Sequence, residues 1–145
     1  VAAPAVPALL DAMGRFPANP FLQQTLKGLK AAAVPAMVQK LKTGSPELQA
    51  AVAKALAGVG KDGEPALPVL IGILEGGGPD KVVEEAIAAT AAISVKAVRG
   101  DALDALKALK AKGGELGTYA DRAIRRIEHK IELEAKIAAE KAAGN

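Results

Sequence analysis

Apolar positions along this chain recur at helical spacing. Leu48, Val52, Leu56 and Val59 follow one another at steps of four, four and three, and Tyr119, Ala123, Ile124, Ile127 and Ile131 make a second stripe on one helical face. No stretch alternates with period two for long enough to make a strand, so the pattern predicts an all-α fold. A four-residue phrase then divides the chain: Ala5-Val6-Pro7-Ala8, Ala33-Val34-Pro35-Ala36 and Ala66-Leu67-Pro68-Val69, with a weaker echo at Ala102-Leu103-Asp104-Ala105. Each copy opens an apolar run that is followed by a turn and a second helical run. Counted between residues 7, 35, 68 and 104, the copies lie 28, 33 and 36 positions apart, which is the period of helical-hairpin repeats.

The second run of each hairpin has a chemical start signal. Asn19-Pro20, Ser45-Pro46 and Gly78-Pro79 each set a capping residue before a proline at the first helical position, where the missing amide hydrogen has no intrahelical partner to lose. Glu47 and Asp80 follow in the first turn, on the favourable side of the helix dipole. Gly14, Gly44, Gly58 with Gly60, Gly76 and Gly113 follow the apolar runs, as expected where a chain leaves a helix. These signals predict helices near 4 to 13, 20 to 30, 33 to 43, 46 to 58, 65 to 75, 79 to 97, 101 to 112 and 116 to 142, or four hairpins.

The run from Ser45 to Gly60, SPELQAAVAKALAGVG, followed by Glu64 to Ile71, EPALPVLI, resembles the HEAT-like repeat of bacterial proteins, the type also found in phycobilisome lyases. The likeness extends over nearly the whole chain and is strongest from 33 to 94. It implies an α-solenoid whose second helices line a concave face, as one domain over 1–145 with repeats at 1–31, 32–60, 61–98 and 99–145, the last carrying an extended C-terminal helix. The family usually places an Arg early in the second helix, where this chain has Gln49.

Composition narrows the chemistry. Half the residues are hydrophobic, yet Phe16, Phe21 and Tyr119 are the only aromatics, so the core must be built from Ala, Leu, Val and Ile. Without cysteine there is neither disulfide nor thiolate chemistry. The longest uncharged stretches, such as Ala86 to Val95, fall short of the roughly 20 apolar residues that span a bilayer, which predicts a soluble chain. The uncharged opening from Val1 fits a processed mature terminus or an excised fragment, leaving exported and cytoplasmic settings both open. The net charge of +3 divides into seven basic against four acidic residues over 1 to 72 and twelve of each over 73 to 145, so no basic tail stands out.

Candidate sites are few. Gly58-Val59-Gly60-Lys61 suggests a phosphate loop, but Asp62 stands where Ser or Thr should hold magnesium, and the segment follows a helix. Gly76-Gly77-Gly78-Pro79-Asp80 presents amides at a helix start but reads more simply as a turn. His129 is the lone histidine, without a second imidazole or thiol for zinc or a Ser or Cys nucleophile to activate, and reads as a surface residue. Glu84 and Glu85 are adjacent in a helix and point about 100° apart, which does not suit paired carboxylate catalysis. No catalytic residue, cofactor site or metal site is therefore predicted.

The basic residues Arg122, Arg125, Arg126 and Lys130 are interleaved with Asp121, Glu128 and Glu132, and the preceding second helix offers Glu84 and Glu85. Nucleic acid would want one sign of charge repeated from hairpin to hairpin and aromatic rings for stacking. The expectation is instead a non-enzymatic protein-binding or scaffold module, alone or as part of a larger assembly. Its contact row runs along the second helices: Gln23, Gln24 and Lys27, then Gln49 and Lys54, then Glu84 and Glu85, then Arg122, Arg125 and Arg126. Leu133 and Ile137 share a face turned from the core stripe of the last helix and form a second docking candidate. The alternatives are a lyase-type or other small-ligand-handling repeat protein, and a nucleic-acid-binding one.

Overall fold

The computed structural model describes residues 6–16, 19–93 and 100–144, and among these no strand occurs. The helices are α1 (Val6–Arg15), α2 (Pro20–Leu29), α3 (Val34–Thr43), α4 (Pro46–Val59), α5 (Leu67–Gly76), α6 (Asp80–Ala92), α7 (Asp101–Lys112) and α8 (Gly114–Ala143). Short 3-10 turns over Lys30–Ala33 and Gly60–Ala66 lead into α3 and α5. The last residues expected in the sixth helix, 94 to 97, and the first two expected in α1, 4 and 5, lie outside the described residues.

The three proline-bearing copies of the phrase mark the entries of α1, α3 and α5. Pro7, Pro35 and Pro68 each occupy the second residue of α1, α3 and α5, where no intrahelical donor is lost. The echo at Asp104 falls deeper, in the fourth residue of α7, because Gly100 at φ +84° sets that start and no proline constrains it. Two of the second helices, α2 and α4, begin on side-chain caps. Phe21 N–H donates to Asn19 Oδ1 at 2.9 Å, and Leu48 N–H donates to Ser45 Oγ at 3.3 Å. At α6 the proline is shifted by one position from the expectation: Pro79 is the cap, and its carbonyl accepts from Val82 and Val83.

Two expected stops act differently. Gly14 lies inside α1 against Leu48 of α4, where the absent side chain makes room for the neighbour. Gly44 does end α3, but through close approach: a Cβ there would stand 2.6 Å from the Lys40 carbonyl oxygen and 2.9 Å from Leu48 Cδ2.

The helices pack in two series. α1 meets α3, α3 meets α5 and α5 meets α7, while α2 meets α4, α4 meets α6 and α6 meets α8, and each first helix also packs on its own second helix. A continuous buried cluster runs through both series from Val6, Leu10 and Met13 to Ala123, Ile124 and Ile127. The most extensive contact is between α4 and α6, which face each other with Ala51, Ala53, Ala55, Ala86, Ala89 and Ala91 buried alongside Val52, Leu56, Val83 and Ile87. Small side chains let helix axes approach closely. Buried polar groups are few, and Thr90 satisfies its hydroxyl by donating to the Ala86 carbonyl at 2.8 Å.

Leu56 is fully buried and Ile127 nearly so, and neither site can collapse easily between packed helices. Leu56→Ala and Ile127→Ala are each expected to lower stability by about 2 to 5 kcal/mol in urea denaturation. Arg126→Ala, at an exposed position, is expected to change it by about 0.5 kcal/mol or less.

Candidate functional site

The second helices hold the predicted contact row, and the packing divides it. On α2, Gln24 is exposed, but Gln23 is buried: its Nε2 reaches the Ala51 carbonyl of α4 at 3.4 Å while its Oε1 has no partner. The α2–α4 contact covers that face, so Gln23 is a packing residue and leaves the row. The side chain of Lys27 lies outside the description. On α4, Lys54 is exposed, whereas Gln49 is half-buried and donates from Nε2 to the Leu41 carbonyl at 2.7 Å. Where the resembled family places an arginine, this amide satisfies a carbonyl at the last turn of α3, one of those with no intrahelical donor.

On α6, Glu84 and Glu85 differ. Lys81 pairs with Glu85 at 3.1 Å and with Glu84 at 3.7 Å, and the Glu85 side chain retains only 15% exposure, so it is spent on its own helix. The Lys81 ammonium is held above its ordinary pKa, first by the hydrogen bond to Glu85 and then by that carboxylate's charge. Glu84 stays partly open.

On α8 the three arginines take different directions. Arg125 Nε donates to Asp121 Oδ2 at 3.0 Å, while Lys110 of α7 binds Asp121 Oδ1 at 2.7 Å, tying the two helices of the last hairpin together. Arg122 lies over the Tyr119 ring, 5.9 Å from its centroid. Tyr119 in turn donates its hydroxyl to Glu115 Oε1 at 3.0 Å, and this bond raises its pKa above the usual 10.0. Lys130, which shares a helical face with Arg122 and Arg126, is drawn away from the row. Its Nζ donates at 2.9 Å to the Ala91 carbonyl at the C-terminal end of α6, and burial first, the Arg126 charge second, push its pKa down.

Arg122 and Arg126 therefore remain as the cationic part of the row on α8, and they line an open groove of about 200 Å³ between α6 and α8. Its floor is Ile87, Ala88, Ala91 and Ala123, with Glu84 on the opposite lip and Tyr119 at one end. Sequence reasoning missed Tyr119 and the alanines as parts of a site. The available signal was small residues on α6 and α8 at hairpin-related positions beside the polar row.

A second exposed feature is the far end of α8. Burial stops at Ile127, Ile131 is half-buried, and beyond it Leu133 and Ile137 are 49% and 45% exposed, as their angular position predicted. Phe16 and Phe21, 61% and 71% exposed, flank the turn between α1 and α2, an exposure that composition alone did not reveal. Among the described residues no group of three or more His, Asp or Glu is arranged to hold a metal ion, and no helix is long and apolar enough to cross a membrane. His129 is exposed on α8. Comparison with protein-family models, with curated proteins and with solved structures finds no match.

Two outcomes follow from the polar ties. Gln49→Ala removes the donor to Leu41 and is expected to lower stability by about 0.5 to 1.5 kcal/mol, more than an exposed glutamine would. Asp121 is held below its ordinary pKa of 3.8, first by the hydrogen bond from Lys110 and, among the charges, by Arg125 and Lys110. A depressed folded pKa gives stability that is present above 3.8 and lost as pH falls through the folded value. Thermal melts of the wild type and Asp121→Asn should therefore differ at neutral pH and converge in strong acid.

Proposed function

We propose that the chain is a non-catalytic helical-repeat module, an α-solenoid of HEAT-like hairpins, that binds a protein partner along its second helices, alone or as part of a larger assembly. The two parallel series of helix contacts support the solenoid reading, since each hairpin packs chiefly on its neighbours in sequence. A preformed row of this kind spreads recognition over several side chains without a backbone segment having to fold on binding.

The observation that carries the reading is the α6–α8 groove, where an apolar floor and unlike charges on its two lips converge on an exposed face. Its volume of about 200 Å³ is below the roughly 300 to 1,000 Å³ usual for small-molecule sites, which favours a partner side chain over a whole small ligand in this groove. Glu84 beside the arginines weighs against a nucleic-acid backbone. The exposed Leu133 and Ile137 support a second contact at the end of α8.

Affinity capture from the native source separates these contacts. Lys54→Glu with Arg122→Glu and Arg126→Glu is expected to reduce capture of the wild-type partner set by at least about tenfold, or 1.4 kcal/mol. Leu133→Lys with Ile137→Lys should leave the thermal midpoint nearly unchanged, because both residues are exposed and lie beyond the buried core, which ends at Ile127. Capture lost only in the second variant would move the interface to the end of α8. Capture undiminished in both would remove the protein-binding reading.

A further inference from the structure

The groove between α6 and α8 has a chemistry that narrows its occupant. Arg122 and Arg126 stand one turn apart on α8, about 6 Å along the axis. Among the described residues neither makes an ion pair, although Arg125, the third arginine of that segment, is bound to Asp121. Arg126 thus has no ion-pair partner and Arg122 has only the face of the Tyr119 ring, so both line the groove with donors that a carboxylate can engage in two parallel hydrogen bonds. The opposite lip carries the carboxylate of Glu84, only loosely held by Lys81 at 3.7 Å. The floor between them is built from one isoleucine and three alanines, small enough for another helix to lie close.

Resting on the reading of the second helices as a protein-binding face, we propose that this groove receives a helical segment of a protein partner that carries two carboxylates one turn apart on one flank and an aliphatic side chain beside them. The spacing matches because both helices repeat about every 6 Å per four residues, so both carboxylates meet an arginine at once. The aliphatic group fills the recess over Ala88, Ala91 and Ala123. Glu84 repels a carboxylate on the other flank and accepts a Lys or Arg there, which fixes the direction in which the segment lies and rejects a uniformly anionic chain.

The test uses fluorescence anisotropy with a labelled alanine-based helical peptide bearing Glu at i and i+4 and Leu at i+3, alongside the same peptide with Lys for both Glu, the same with Ala for Leu, and a single-stranded oligonucleotide. Wild-type protein is expected to bind the Glu and Leu peptide at least about tenfold more tightly than the other three probes. Arg122→Glu with Arg126→Glu should abolish that preference, and so should Ala88→Phe, which fills the groove at an exposed position without changing charge. Arg125→Glu, whose side chain is tied to Asp121, should change affinity by less than about twofold. Circular dichroism of each variant checks that the helices persist.

Failure of the wild type to bind the acidic peptide, tighter binding of the oligonucleotide, or an equal loss in Arg125→Glu would each overturn the proposal. If capture of native partners still depends on Lys54, Arg122 and Arg126 while the acidic peptide is ignored, the protein-binding reading stands and the acidic-helix reading falls.

Discussion

Close stacking of alanine-rich helices is the constraint on which this structure depends. A core with three aromatics in the whole chain, two of them exposed, cannot fill space with large rings, so apolar area must be buried by bringing helix axes together. The α4–α6 contact meets that requirement most fully, and the other second-helix contacts repeat it on either side. The same closeness makes polar side chains at the seams serve the fold. Gln23 is buried and Gln49 half-buried at these seams, and each donates its amide to a carbonyl of the neighbouring helix.

Local signals were legible in the sequence because their physics is local. Proline in a first turn, a cap such as Ser45 and an acidic residue at a helix start each act within a few residues, and the helices begin close to where those residues place them. The outward direction of Leu133 and Ile137 was legible for a related reason: a helix fixes the angle between its own residues. The burial of Gln23, the tether of Gln49 and the retreat of Glu85 were not, since each depends on a partner 8 or 28 residues away or on the rotamer of a nearby lysine. Gly14 and Gly44 were legible as special positions but not as contacts of Leu48, which is distant from Gly14 in sequence.

Electrostatics on the second helices sorts into charges the fold consumes and charges it leaves. Asp121 with Lys110 and Arg125 ties α7 to α8, and Lys81 with Glu85 stays within α6. Exposed pairs of this kind add little stability each, but they remove groups from the surface available to a partner. What remains around the α6–α8 groove is a short, oriented set of opposite charges over an apolar floor.

Lys130 gives α8 a mechanical character. Its bond to the Ala91 carbonyl is the last polar tie that α8 makes to another helix among the described residues, and its neighbour Ile131 is the last even partly buried side chain on α8. From there to Ala143 the helix runs on for about 20 Å as a free arm. Such an arm behaves as a lever with its fulcrum at the end of α6: a tilt of about 10° at Lys130 swings the tip by about 3 to 4 Å over that length. Any load on Leu133 or Ile137 is therefore delivered to the α6–α8 contact, next to the groove.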